Sequence, residues 1–224
     1  MKKLAIFDID GTIFRSSLVI ELTEAFIQAG IFPASTKKAY KKAYLDWVDR
    51  RGGYEKYINS VVLAFGKYIK GKNVKKVNSI SEKVISFHRN RVYVFTRDLI
   101  RELRRKNYYI VAISYSPQYA VKAFCRNFGF HEIFGTIYES QNNKFTGIQY
   151  RVASDKSKIL KLVLKKKNLR LAGSVGVGDT ESDIPFLKMV ENPICFNPNL
   201  KLYRHAKRAG WRTVIERKDV IYEL

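Results

Sequence analysis

Four short runs constrain this chain more than any other feature: L-A-I-F at residues 4–7, Y-Y-I-V-A-I-S from Tyr108 to Ser114, S-V-G-V-G from Ser174 to Gly178, and P-I-C-F from Pro193 to Phe196. None carries a charge and none is long enough for a helix. Each reads as a strand covered on both faces, the signature of a parallel sheet. R-T-V-I from Arg212 is a further candidate. Between them lie helical patterns such as D-L-I-R-E-L-R-R-K, A-V-K-A-F-C-R-N-F and S-K-I-L-K-L-V-L-K-K-K. The alternation predicts an α/β fold, a doubly wound parallel (Rossmann-like) sheet, in which ligands bind beyond the carboxyl ends of the strands.

Residues 16–90 break this rhythm. They carry helical periodicity with little strand signal, as in L-V-I-E-L-T-E-A-F-I and Y-I-N-S-V-V-L-A-F-G. The expected organisation is a core domain of residues 1–15 and 91–224 with an inserted helical cap domain at 16–90. F-G-T-I-Y-E-S-Q-N-N-K-F-T-G-I-Q-Y reads as a β-hairpin turning at Gln141 to Lys144. A length of 224 residues with 46% hydrophobic residues is ample for this arrangement.

No apolar run is long enough to cross a membrane, and M-K-K-L-A-I-F meets Asp8 before a signal-peptide core can form. The expected location is therefore cytoplasmic. Cys125 and Cys195 sit among apolar neighbours and read as buried thiols. The formal charge of +22 would concentrate anionic partners, nucleic acid or anionic membrane included. Solvated lysine-rich faces account for it equally well, and no nucleic-acid-binding motif accompanies it.

The strand ends carry reactive side chains. Asp8 and Asp10 follow the first strand, Ser114 ends the second, Lys156 lies in A-S-D-K-S-K-I-L, and Asp179 and Asp183 lie in G-V-G-D-T-E-S-D. Clustered acids beside glycine turns suit a hard cation such as Mg²⁺. A lysine and a hydroxyl suit a phosphoryl group, whose transfer asks mainly for positioning and charge neutralisation. T-E-S-D also fits a capping box with Thr180 as N-cap. Ser116-Pro117 reads as an N-cap followed by a first-turn proline, with Gly129 closing that helix after Phe128, so Ser114 is the better phosphate ligand. Lys156 is favoured over Lys158 because it stands just before the helical run. His88, His131 and His205 show no partner pattern.

D-I-D-G-T (Asp8 to Thr12), I-S (Ile113, Ser114), the lysine of D-K-S-K-I-L and G-D-T-E-S-D (Gly178 to Asp183), in this order, closely resemble the haloacid dehalogenase superfamily of phosphohydrolases. The insertion after the first motif resembles its phosphoserine phosphatase-like branch. The resemblance implies a phosphatase working through an aspartyl-phosphate intermediate, with Asp8 as nucleophile and Asp10 as general acid and base. It implies Mg²⁺ held by Asp8, the backbone carbonyl of Asp10 and Asp179, with Asp183 orienting metal-bound water, and Ser114 and Lys156 gripping the phosphoryl group.

Phosphoserine phosphatases carry Glu nine positions after the nucleophile, where this chain has Ser17, with Glu21 one helical turn further on. Their two glycines after the second-motif Ser are Tyr115 and Ser116 here, and their Asn before the last Asp is Ser182. Arg15, Ser17 and Arg51 are the candidate specificity residues, and Arg50, Tyr54 and Tyr57 are further candidates to close over a substrate. The expected partner is a small phosphate ester. The competing class is a basic polyanion-binding protein built on a retained hydrolase core.

Overall fold

The strand that ends at Asp8 lies in the middle of the sheet. In the computed structural model, which describes residues 1–150 and 156–224, β1 (Lys3–Asp8) is followed by four helices, α1 (Leu18–Gln28), α2 (Lys41–Val48), α3 (Tyr54–Ile69) and α4 (Val74–His88). Then come α5 (Val94–Arg105), β2 (Tyr109–Pro117), α6 (Gln118–Cys125), β3 (Glu132–Gln141) and β4 (Lys144–Tyr150). The described chain resumes with α7 (Lys156–Lys167), β5 (Arg170–Gly178), α8 (Ile184–Leu187), β6 (Asn192–Phe196), α9 (Leu200–Ala209), β7 (Arg212–Arg217) and β8 (Val220–Glu223).

The sheet runs β4-β3-β2-β1-β5-β6-β7-β8. Strands β3 to β7 in that row pair in parallel, and antiparallel β4 and β8 close the edges. Strand order reverses about β1, whose neighbours are β2 on one side and β5 on the other. A crevice opens there at the carboxyl ends. Period-two alternation splits β1 between two interiors. Ala5 and Phe7 join one core with α5, α6 and the inserted helices, while Leu4 and Ile6 join another with α7, α8 and α9.

The inserted helices form a cap fastened to the sheet. In α3 the buried residues Tyr57, Val61, Ala64, Phe65 and Ile69 recur at helical spacing. Phe65 packs against Phe26 and Phe32 within the cap and against Tyr138 of β3, with ring centres 5.3 Å apart in the last pair. Burying such a ring stabilises by about 1.5–3 kcal/mol. The α3–α4 turn also bonds to the hairpin through Gly71 N to Phe145 O (2.7 Å) and Val74 N to Asn143 O (2.9 Å).

Three expectations are refined. The hairpin forms with Gln141 opposite Lys144, and Asn142 and Asn143 supply the left-handed backbone that a tight two-residue turn needs. Its first strand does more than expected, because Glu132–Phe134 also pair in parallel with Val111–Ile113. The Ser116-Pro117 helix start is not seen. Strand β2 continues to Pro117, which pairs with Thr136, and α6 begins at Gln118 and ends at Cys125, before Phe128. The Ser116 hydroxyl is engaged elsewhere, as described next.

Candidate active site

Asp8, the last residue of β1, and Lys156, the first of α7, meet in the crevice at 4% and 1% exposure. The Lys156 ammonium donates to Asp8 Oδ1 at 2.5 Å and to Asp183 Oδ1 at 2.6 Å. Lys158, two residues on, is exposed. Burial alone would strip Lys156 of its proton, but Asp183 and Asp8 outweigh it and hold the amine well above its usual range, so it stays charged.

Asp183 is fully buried and serves two partners. Its Oδ2 accepts from the backbone N–H groups of Asp179 (2.9 Å) and Thr180 (3.1 Å), completing the capping box with the Thr180 side chain. Its Oδ1 holds Lys156. A carboxylate expected to orient water is thus tied to the lysine and to the loop that presents Asp179.

Asp10 stands at the N-terminus of α1, where Leu18 N donates to its Oδ1 at 2.6 Å. Ser114 Oγ donates to Oδ2 at 2.5 Å and Ser116 Oγ to Oδ1 at 3.0 Å. Burial pushes the Asp10 carboxyl above its usual range, while the Ser114, Leu18 and Ser116 hydrogen bonds pull it back. Ser116, read from sequence as a helix cap, is therefore a partner of Asp10. It lines the crevice, whereas Ser114 faces Asp10 and accepts from Ser116 N at 2.9 Å.

Asp8, Asp179 and Asp183 each offer an oxygen within 4.8 Å of the others. Asp8 Oδ2 is buried with no hydrogen-bond partner among the described residues. Burial pushes Asp8 up to about 7, with Lys156 opposing and Asp183 and Asp10 adding to the rise, and it pushes Asp179 well above its usual range. Gly11, at φ +83°, lies where any side chain would collide with the Asp179 carboxylate. Hard oxygen donors, an orphaned carboxylate oxygen and more acid than one lysine neutralises all fit a small divalent cation such as Mg²⁺.

A cavity of about 330 Å³ opens above these groups, and its far wall comes from the cap. Ser17, buried at the start of α1, lines it, as do Tyr54 and Glu55 at the start of α3. Arg15 lies instead in an adjoining cavity that shares Tyr54 and Asp179, with its guanidinium 5.4 Å from the centre of the Tyr93 ring. Tyr57 lines that second cavity too. Arg51 is not brought to either: it is exposed and paired with Asp49 at 2.6 Å. Arg50 is also exposed, in the loop before α3. Glu21 points to Ser16 (2.6 Å) and His88 (3.2 Å).

Sequence reasoning missed Ser116 and Glu55. Ser116 had a usable signal, since it lies two positions after Ser114 on one strand and so on the same face. Glu55 had none, because only the packing of the cap brings α3 over the strand ends.

A model of the haloacid dehalogenase-like hydrolase family matches residues 5–188. A histidinol-phosphatase of Neisseria meningitidis serogroup C (strain 8013) is 24% identical over 227 residues, covering 94% of this chain and 97% of that protein. A phosphoserine phosphatase of Methanocaldococcus jannaschii is 24% identical over 205 residues, covering 89% of each. A solved structure described as a phospho-aspartyl intermediate analogue of phosphoserine phosphatase superposes with a TM-score of 0.66 at 23% identity, over 97% of this chain and 95% of that one, and shares the fold.

Proposed function

The chain belongs to the haloacid dehalogenase-like hydrolases, and on that premise we propose that it is a Mg²⁺-dependent phosphomonoester hydrolase acting through an aspartyl-phosphate on a small phosphorylated metabolite. The observation that carries this reading is the Asp8 carboxylate. One of its oxygens is fixed by a charged, buried lysine and the other has no donor among the described residues, beside Asp179 and next to a second acid of raised pKa.

In this reading Asp8 attacks phosphorus while the bond to the ester oxygen breaks, and Asp10 gives its proton to the departing alkoxide. Water then attacks the phosphorus of the aspartyl-phosphate and passes a proton to Asp10. The bond to Asp8 breaks, freeing phosphate and restoring both carboxyls. Asp10 suits both half-reactions because its pKa lies above the ordinary carboxylate range. Lys156 neutralises charge on the transferring group, and Ser114 exchanges its bond to Asp10 for one to the phosphoryl oxygens.

Mg²⁺ would be held by Asp8, Asp179 and the Asp10 carbonyl, supplying positive charge to the phosphoryl oxygens when bound. Asp183 keeps Lys156 and the 179–180 loop in place. Residues 16–90 act as the cap that excludes water and carries the specificity groups, among them Ser17. Neither Arg15 nor Arg51 is assigned a substrate contact. No helix among the described residues is long and apolar enough to cross a membrane. The test is phosphate release from an aryl phosphate, which should require Mg²⁺ and vanish in Asp8→Asn. Full turnover by that variant would overturn the reading.

A further inference from the structure

We propose that the substrate is an amino-alcohol phosphate, carrying a protonated nitrogen and no carboxylate on its alcohol portion, and that Glu55 is the group that selects it. This rests on the phosphatase reading above. With the phosphoryl group seated against Asp8 and Lys156, the alcohol portion must point away from the strand ends toward the cap. There the cavity wall is made by Tyr54, Glu55, Ile58, Asn59 and Val62 on one turn after another of α3, with Val19 of α1.

Glu55 is the one ionisable carboxyl on this outer wall among the described residues, and it is partly buried. Lys156 is the one cation lining the cavity among the described residues, and its two short contacts are both carboxylates. Two other cations among the described residues have partners of their own, although Lys201 also feels the charge of Glu55. Lys201 sits on Glu181 at 2.8 Å with its side chain 75% exposed, and Arg15 faces Tyr93 in the adjoining cavity.

A substrate carboxylate entering here would leave water to face Glu55 and would find no cation on the outer wall among the described residues. A substrate ammonium would find a carboxylate in a partly dry cavity, where opposite charges attract strongly and like charges repel. Apart from the uncharged Asn59 amide, the remaining wall is apolar or aromatic, and about 330 Å³ holds a phosphate with a short carbon chain rather than a polymer. Burial and the nearby Glu181 raise the Glu55 carboxyl above its usual range, a hydrogen bond with Thr180 opposes them, and a bound ammonium would favour its charged form.

The test compares kcat/KM of the full chain with Mg²⁺ on three esters of similar size: O-phosphoethanolamine, O-phosphoserine and glycerol 3-phosphate, with an aryl phosphate as reference. The expected order places phosphoethanolamine about tenfold or more above each of the others. In Glu55→Gln the ratio of phosphoethanolamine to glycerol 3-phosphate should collapse about tenfold, and Glu55→Asp should retain part of it. Phosphoserine turned over as well as phosphoethanolamine, or an unchanged ratio in Glu55→Gln, would overturn the substrate assignment while leaving the phosphatase reading intact. Absence of aryl phosphate turnover would overturn both.

Discussion

Lys156 Nζ stands 2.6 Å from Asp183 Oδ1, with both side chains at most 2% exposed. The lysine is therefore set in place from behind, by an acid that also fastens the loop carrying Asp179. Removing either partner strands a buried charge, which costs more than the pair itself contributes. Lys156→Met should lower unfolding stability by about 3–5 kcal/mol. Asp183→Asn, which keeps an acceptor for the loop, should lower it by about 1–3 kcal/mol and cut kcat by about 10–100-fold. Urea unfolding at pH 8 in chelator checks the order. A Lys156→Met protein as stable as the parent would contradict it.

The buried acids should make stability depend on pH and, under the proposed function, on metal. Asp8 titrates at about 7 in the fold against an ordinary 3.8, and Asp179 moves in the same direction. The folded state thus binds more protons than the unfolded chain between these values, and stability falls as pH rises through that window. In chelator the Tm should drop by roughly 4–10 °C from pH 4 to pH 7 through these groups. Added Mg²⁺ should restore it most at the alkaline end, where the carboxylates are free to bind. A Tm that Mg²⁺ leaves unmoved at pH 8 would remove the acids from the metal site.

Ser116 hydrogen-bonds to Asp10 and helps hold its charged form. Ser116→Ala should let the Asp10 carboxyl rise further. As the proposed general-acid role requires Asp10 to be protonated, the alkaline limb of the kcat/KM profile should shift up by about 0.5–1 pH unit. An alkyl phosphate, whose poor leaving group needs that proton, gives the clearest readout. A profile unmoved in Ser116→Ala would mean that this hydroxyl does not tune the acid.

Much of this architecture was legible because its causes are local. The apolar runs ending at Phe7, Ser114, Gly178 and Phe196 became β1, β2, β5 and β6, since a charge-free run flanked by helices has few ways to be covered other than in a parallel sheet. The run from Arg212 became β7. The paired asparagines at 142 and 143 marked their own turn. Less legible were features decided by packing between distant segments. The double pairing of β3 depends on β2 lying beside it, and strand β8 is exposed throughout, with no hydrophobic burial to announce it. Ser116 kept its strand conformation because Asp10 and Val19 N, about a hundred residues earlier in the chain, engage its hydroxyl. Arg51 looked available for substrate only because nothing in the sequence showed that Asp49 would hold it at the surface.

The central claim is that Asp8 becomes phosphorylated. Acid-quenched Asp10→Asn protein, incubated with Mg²⁺ and an aryl phosphate and then digested, should carry one phosphoryl group on the peptide containing Asp8. The same peptide from the protein that also carries Asp8→Asn should be unmodified. Phosphate release at the parental rate by Asp8→Asn, with no phosphorylated peptide at any quench time, would contradict the account.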